Sequence, residues 1–250
     1  MCNELWQTDF KGDFALKDGS RCYPLSILDD HSRFSLAIVP MPSLRGITEH
    51  FRLVFMEFGL PQAILSDNGG TFRGIGSSGF VLFERWLMEH DVLPIHGRVR
   101  HPQTQGKIER FHGSMENEVL KDRSFDNLVE VERALSSWRE IYNSIRPHEA
   151  INMRCPADLY TKSARPFHDY VSEFNYSGLF RVIKVNAWSY VRFAIFQVFL
   201  SDTFAHQFLE FRPNPLSNSW FACFRNFRIA EFDAGSGSLL NRAVRRISHL

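Results

Sequence analysis

A regular alternation of short apolar segments with longer amphipathic ones constrains the fold of the first 144 residues more than any other feature. Residues 4–10 alternate with the period of a β-strand, and residues 25–39 form two apolar runs around a polar turn, which is typical of a β-hairpin. Short strands are also predicted at 63–70 and 92–96. The spacing of apolar residues predicts amphipathic helices at 44–59, at 80–90, from Lys107 onward and at about 126–144.

The order of these segments, βββ-α-β-α-β-α-α, predicts a layered α/β core rather than a β-sandwich. Beyond Pro166 the composition of the chain changes. Residues 175–233 are rich in Phe, Val, Ile and Trp in short alternating runs, which favours a small all-β domain. A flexible Gly-Ser linker and a frayed basic helix are expected after it. We therefore predict a core (1–120), a helical extension (121–165), a small β-rich C-terminal domain (166–234) and a flexible basic tail (235–250).

Composition excludes several classes of protein. Hydrophobic residues make up 44% and charged residues 23% of the chain, which argues against global disorder. No apolar run approaches the roughly 20 residues needed to cross a bilayer, and the first residues have neither the basic nor the apolar region of a secretory signal. The four cysteines form no C-x-x-C pair, which argues against a zinc knuckle or a disulfide framework and fits a reducing cytosol.

Three carboxylates lie at positions that packing alone does not require. Asp9 falls inside the first strand, where Asp is disfavoured, and Asp67 ends the strand before a glycine turn. Glu109 lies in the first turn of the helix that starts at Lys107. If the first and fourth strands are neighbours, Asp9 and Asp67 lie side by side and the helix can bring Glu109 to the same edge. Taken singly, the three acids also fit an edge strand, a tight turn and a helix start.

Clustered carboxylates repel one another unless a cation lies between them. The cation that suits carboxylates and phosphate oxygens is Mg²⁺ or Mn²⁺, and two ions about 3.5–4 Å apart would hold both reacting oxygens of a phosphodiester in line. Basic and amide side chains surround Glu109 and are predicted to bind DNA, although a plain solvated loop is the alternative. These residues are Arg98, Arg100, His101, Gln105, Lys107 and Arg110.

Two other polar motifs receive structural interpretations. Asp29 and Asp30 stand at the apex of the predicted hairpin and are better explained by turn hydrogen bonding than by metal binding. The RPHEA segment at 146–150 orders the end of a helix more readily than it contacts DNA. Both are therefore left out of the predicted site.

Five motifs, in this order along the chain, resemble one known family. HPQTQGKIERFH is similar to the Pro-Gln-(Ser/Thr)-Gln-Gly-x-x-Glu signature of retroviral integrases and of bacterial insertion-sequence transposases with an Asp-Asp-Glu triad. WQTDF, LDDHSRF, LSDNGG and YNSIRPHEAINMRCPADLY resemble the transposase version. The resemblance covers about residues 5–165 strongly. It implies a ribonuclease-H-like core with a mixed five-stranded sheet flanked by helices, two divalent ions, and Asp9, Asp67 and Glu109 as the triad.

The resemblance also implies DNA cleavage followed by transfer of a 3′-hydroxyl strand. The expected partners are the element ends, the target DNA and further copies of the chain, with no membrane, in the bacterial cytoplasm and at the nucleoid when bound to DNA. Transposases of this type usually carry an N-terminal helix-turn-helix region, which we expect to be missing because Met1 precedes Asp9 by only eight positions. Two alternatives stay open: a metal-dependent nuclease without joining activity, and an inactive DNA-binding remnant of a truncated transposase.

Overall fold

The computed structural model describes residues 1–74, 79–97, 106–193 and 195–247, and the chain divides into two compact units. The first unit comprises Met1–Asn68 and His96–His168, and the second comprises Gly69–Ile95 and Asp169–Leu250. The domain segments expected from the sequence remain predictions. The compact units divide the chain differently, because residues 69–95 group with the C-terminal β-rich part instead of the core.

The first unit is built around a mixed β-sheet. Strand β3 pairs antiparallel with β1, β2 and β4, while β1 pairs parallel with β5 on its other side. This arrangement confirms the predicted hairpin and the predicted adjacency of the first strand and the fourth. Strand β6 (Leu93–His96) contains a boundary between the units, since this segment of the second unit ends at Ile95 and the first unit resumes at His96. The strands of the first unit are β1 (Leu5–Phe10), β2 (Phe14–Ala15), β3 (Arg21–Asp29), β4 (Ser35–Met41) and β5 (Ala63–Ser66).

Helices flank this sheet and bury the apolar stripes expected from their spacing. The stripe Ile108, Phe111, Met115 and Val119 is buried as predicted, and Phe111 and Met115 share a core with Trp138 and Tyr142. Among the described residues, no helix is both long enough and apolar enough to span a membrane. The helices of the first unit are α1 (Ile47–Phe58), α3 (Gly106–Met115), a π-helical turn (Glu116–Leu120), α4 (Leu128–Ser144), a 3-10 turn (Glu149–Ile151) and α5 (Pro156–Leu159).

The second unit consists of α2 (Leu82–Glu89) and β-strands. A five-stranded antiparallel sheet has the order β13-β12-β11-β10-β7, and β8 pairs with β9 as a separate hairpin. Its core is dominated by Phe side chains, which confirms the β-rich character predicted for this part of the sequence. The strands are β7 (Arg181–Lys184), β8 (Tyr190–Phe193), β9 (Phe196–Phe199), β10 (Phe208–Pro213), β11 (Ser219–Phe224), β12 (Phe227–Asp233) and β13 (Leu239–Arg246).

The predicted frayed helix and flexible linker at the C-terminus are wrong within the described residues. Residues 239–246 form strand β13, which pairs antiparallel with β12, and Val244 packs on the core of the second unit. The Gly-Ser segment is the turn of this hairpin. The side chain of Asp233 accepts hydrogen bonds from the Gly235 N–H (3.0 Å) and the Ser236 N–H (2.7 Å), so the turn is held by specific contacts.

The inward face predicted for helix α2 is also partly wrong. The apolar periodicity of residues 80–90 predicts Leu82 on the inward face, but Leu82 is 63% exposed, whereas Glu84 is buried. The Glu84 carboxylate accepts hydrogen bonds from the Val81 N–H (2.8 Å) and the Gly74 N–H (3.2 Å), which compensates its removal from water. The capping requirement of the helix start outweighs the apolar periodicity here.

Asn143→Ala should lower the free energy of unfolding of the first unit by about 2–4 kcal/mol. The buried Asn143 side chain bonds both backbone groups of Ser35, accepting from its N–H at 2.8 Å and donating to its carbonyl at 3.0 Å, so the substitution leaves two buried groups without partners. Urea denaturation followed by tryptophan fluorescence measures the change. Ser144→Ala, on the exposed neighbouring position, is the control. Equal midpoints for the two variants would contradict the prediction.

Candidate active site

The parallel pairing of β1 with β5 sets the positions of two of the predicted acids. Leu5, Trp6 and Gln7 pair with Ala63, Ile64 and Leu65. Continuing this register by two residues brings Asp9 opposite Asp67, at the carboxyl ends of both strands. Neighbouring parallel strands therefore deliver the two carboxylates to one edge of the sheet.

Helix α3 reaches the same edge because its first turn is tied to β1. The Ile108 N–H donates to Oε1 of Gln7 at 3.3 Å, and Gln7 is a buried residue on the same face of β1 as Asp9. One helical turn later, Nδ1 of His112 lies 3.8 Å from Oδ2 of Asp9. Glu109 lies between these two contacts in sequence, so it is carried toward Asp9.

The pKa of Asp9 reflects the nearby charges of the two other acids. The pKa of Asp9 is raised from 3.8 to about 7, first by burial and then by the charge of Asp67. A hydrogen bond from the Phe10 backbone lowers the pKa, and the charge of Glu109 again raises it. The structure thus brings the three predicted acids within electrostatic range of one another, from β1, the end of β5 and α3.

The three carboxylates suit a hard divalent cation by charge and by donor type, because oxygen ligands are what Mg²⁺ and Mn²⁺ prefer. A cation among them would also relieve the repulsion that raises the pKa of Asp9. As the side chains stand, no group of three or more His, Cys, Asp or Glu residues in the described ranges is arranged to hold a metal ion. The catalytic and metal-binding roles of Asp9, Asp67 and Glu109 therefore remain a proposal.

Of the residues predicted to bind DNA, two fall on α3 and the others do not belong to the described part. Lys107 Nζ forms an ion pair with Oδ2 of Asp30 at 2.5 Å. Arg110 is exposed and forms no hydrogen bond or ion pair with any residue that the structure describes. Outside the described residues lie Arg98, Arg100, His101 and Gln105.

A polar network that the sequence interpretation missed anchors the start of α3. Gln7 donates from Nε2 to Oδ1 of Asp30 at 2.6 Å, while Asp30 binds Lys107. The prediction of a turn role is wrong for the Asp30 side chain but is confirmed for Asp29, which accepts from the Ser32 N–H and hydroxyl. The available signal was the polar Gln7 inside a buried strand, two residues before Asp9.

His112 is the second residue that the sequence interpretation missed. Its Nε2 lies 3.0 Å from the hydroxyl of Ser26 on β3, and its imidazole is buried. Burial and, to a smaller extent, the charge of Lys11 lower the pKa of His112 to about 4, so the ring is neutral near pH 7. A neutral imidazole beside Asp9 fills the space without adding a cation that would compete for the carboxylates.

Comparisons with known proteins agree with this geometry. Two family models, both described as integrase core domain, match residues 1–102 and 90–156. Together the two models cover residues 1–156, which therefore match an integrase core domain. This confirms the resemblance to insertion-sequence transposases of the Asp-Asp-Glu superfamily that the five motifs indicated.

Relatives of this integrase core occur in bacterial mobile elements. The insertion element IS407 uncharacterized 31.7 kDa protein of Burkholderia multivorans is 27% identical over 168 residues, which is 64% of this chain and 56% of that protein. The insertion element IS476 uncharacterized 39.2 kDa protein of Xanthomonas euvesicatoria is 30% identical over 161 residues, 64% of this chain and 44% of that protein. The chain thus spans about half the length of these curated relatives.

Solved structures share the fold of this integrase core. A cryo-electron microscopy structure of the simian T-cell lymphotropic virus intasome, in complex with PP2A regulatory subunit B56 gamma, matches with a TM-score of 0.51 and 14% identity. The match covers 97% of this chain and 79% of that chain. The HTLV-2 integrase catalytic core domain in complex with magnesium, in its trimeric form, matches with a TM-score of 0.47 and 14% identity, over 64% of this chain and 97% of that chain. The predicted ribonuclease-H-like fold is confirmed.

Gln7→Ala should accelerate exchange of the Ile108 amide hydrogen in this integrase core by about tenfold or more, because a lost bond of about 1.4 kcal/mol opens the amide tenfold more often. The substitution removes the acceptor of the Ile108 N–H and the donor to Asp30. Hydrogen exchange followed by NMR measures the effect. Gln62→Ala, on an exposed position before β5, should leave the Ile108 amide unchanged. Equal exchange in both variants would show that Gln7 does not anchor α3.

Proposed function

We propose that this chain performs metal-dependent cleavage of DNA strands and transfers the resulting 3′-hydroxyl end to a target phosphodiester during DNA transposition. The match of residues 1–156 to an integrase core domain supports a role in transposition. The single observation that carries the chemical proposal is the convergence of Asp9, Asp67 and Glu109 on one edge of the sheet, where the two other charges raise the pKa of Asp9.

In this proposal the three acids hold Mg²⁺ or Mn²⁺, in the form of two ions. Such ions, when bound, supply Lewis-acid stabilisation of the attacking and leaving oxygens of the phosphodiester. Asp9 and Asp67 provide oxygens from the rigid sheet, while Glu109 completes the set from the helix. Because the Asp9 side chain is only 21% exposed, water has limited access to this carboxylate and its charge is weakly screened.

The same proposal assigns DNA binding to the segment before α3 and to its first turns. Arg98, Arg100, His101 and Gln105 would contact phosphates or bases together with Lys107 and Arg110. A Lys107 contact with DNA requires that this side chain leave Asp30. Joining two element ends to one target requires that both ends be held together, so we propose a homo-oligomer assembled on DNA at the bacterial nucleoid.

A nuclease that cuts without joining would use the same three acids. A DNA end with a pre-cut 3′-hydroxyl separates the two activities, because joining to a second duplex is then the only reaction left. Cleavage without any joined product would favour the nuclease. DNA binding without Mg²⁺- or Mn²⁺-dependent nicking would favour a non-catalytic DNA-binding protein.

Glu109→Gln should reduce cleavage and joining by more than about a hundredfold, because even residues that only support metal ligands cost 10- to 100-fold when replaced. The affinity for DNA should stay within about twofold, since the charge lost is negative. Nicking and joining assays with Mg²⁺ or Mn²⁺, beside anisotropy binding, measure both quantities. Glu132→Gln, an exposed acid on α4, is the matched control. A Glu109→Gln variant that cuts normally would exclude Glu109 from the site.

Asp9→Asn should abolish stabilisation of the protein by Mg²⁺ or Mn²⁺, while raising the melting temperature without metal because one of three mutually repelling carboxylates is removed. In the wild type, an ion at a hundred times its Kd should add about 2.7 kcal/mol of stability. Thermal denaturation with and without each ion is the measurement. Asp122→Asn, an exposed acid far along the chain, should keep the wild-type response. An unchanged metal response in Asp9→Asn would overturn the assignment.

A further inference from the structure

Helix α3 presents two chemically different faces within the first unit. Glu109 and His112 lie on the face that approaches Asp9. Lys107, Arg110 and Ser114 lie at spacings of three and four residues and therefore share the other side of the helix. This second face lines a pocket whose remaining wall comes from Arg33, from α4 and from the segment that follows α4.

The pocket has a volume of about 550 Å³ and is lined largely by cationic and aromatic side chains. Arg33 comes from the turn between β3 and β4, Arg110 from α3, and Arg146 from the segment after α4. Glu149 is the acidic residue of the lining. Arg146 pairs with Glu118 at 2.5 Å. Within the described part of the chain, the Arg33 side chain bonds the backbone carbonyl of Asp30 and pairs with no acid, so its charge is not neutralised there.

Arg110 adds an uncompensated charge to this pocket. It is exposed and pairs with no acid in the described ranges. The positive charges of Arg33 and Arg146 both act on His148, another residue of the pocket lining. Burial lowers the pKa of His148, a bond to the backbone of Tyr142 raises it, and both arginine charges lower it further. The two arginine charges therefore make this part of the pocket favourable for a negatively charged group.

Tyr142 provides a hydrogen-bond donor in the lining of this pocket. It is 4% exposed and lines the pocket, yet its hydroxyl forms no hydrogen bond with any residue that the structure describes. Its ring is fixed by Phe111 (4.8 Å between centroids) and by His148 (4.5 Å). This hydroxyl is therefore available to donate a hydrogen bond to an anionic ligand in the pocket.

The cationic surface continues beyond this pocket. An adjoining pocket of about 370 Å³ shares Arg33, Lys107 and Ala150 with the first and adds Arg154, and its one acidic lining residue among those described, Asp30, is paired with Lys107. Two adjoining sites of the same charge suit a chain of anions better than a single small ion. A strand of nucleic acid carries such a chain, with one phosphate per nucleotide.

We propose that the pocket formed by Arg33, Arg110, Tyr142, Arg146 and His148 binds the phosphodiester backbone of a DNA strand. Arg110 and Arg33 pair with phosphate oxygens, and the Tyr142 hydroxyl donates a hydrogen bond to one of them. The inference rests on the proposed function only in choosing DNA over an acidic peptide as the occupant. It also gives the 146–150 segment a binding role in addition to the helix-ending role expected from the sequence.

The test uses the full chain and a fluorescein-labelled 20-nucleotide DNA, with EDTA present so that no cleavage occurs. Anisotropy is recorded between 50 and 300 mM salt. Arg110→Gln should weaken binding by about three- to tenfold and reduce the salt slope by about one, because one phosphate contact is lost. Tyr142→Phe should weaken binding about two- to fivefold with the slope unchanged, because it removes a neutral donor and keeps the packed ring.

Arg133→Gln is the matched control, since Arg133 is an exposed arginine on the same helix as Tyr142 but outside the pocket. If Arg110→Gln and Tyr142→Phe both match Arg133→Gln in affinity and slope, the inference is overturned. It is also overturned if polyglutamate of equal charge binds in an Arg110-dependent way while DNA binding is unaffected by Arg110. Circular dichroism of each variant verifies that the fold is kept.

Failure of this inference and failure of the proposed function give different results. If Arg110→Gln loses DNA affinity while the wild type shows no metal-dependent cleavage, the pocket stands and the proposed chemistry fails. If the wild type cleaves DNA and Arg110→Gln binds as Arg133→Gln does, the pocket inference alone fails.

Discussion

The parallel pairing of β1 with β5 is the constraint on which the candidate site depends. Side chains alternate along a strand, so a slip of one residue in this register would turn Asp67 to the opposite face from Asp9. The register is fixed by three backbone pairs and by buried side chains such as Trp6 and Ile64. Apolar packing thus determines the spacing of two acids that take no part in it.

Bringing three mutually repelling carboxylates to one sheet edge lowers the stability of the fold. Contacts around Asp9 partly offset this destabilisation. Two residues before Asp9, the buried Gln7 side chain donates from Nε2 to Asp30 and accepts at Oε1 from Ile108, so both of its polar atoms have a partner. His112 is neutral and fills the space beside Asp9. The burial of Asp9 and its repulsion by Asp67 and Glu109 remain unfavourable, and a bound cation would relieve the repulsion.

Much of this arrangement could be predicted from the sequence, because it follows local patterns. Strand β1, the hairpin of β3 and β4, and the buried stripes of α3 and α4 all follow from periodicity. The Gln7–Asp30–Lys107 network could not be predicted, because its members are far apart in sequence and meet only in the folded unit. The C-terminal strand β13 was missed for a similar reason, since its pairing with β12 outweighs its own weak pattern.

Helix α3 separates opposite charges that would otherwise cancel. Side chains three and four residues apart share a face, so Glu109 and His112 point to one side, while Lys107, Arg110 and Ser114 point to the other. Cations directly beside the acids would compete with a metal ion for the same carboxylates. Asp30 holds Lys107, the basic residue nearest to the start of the helix, away from that edge. A single helix can therefore face a cation on one side and an anionic backbone on the other. This requires that its first turn be held in one rotation about the helix axis. The hydrogen bond from the Ile108 N–H to Gln7 supplies that restraint.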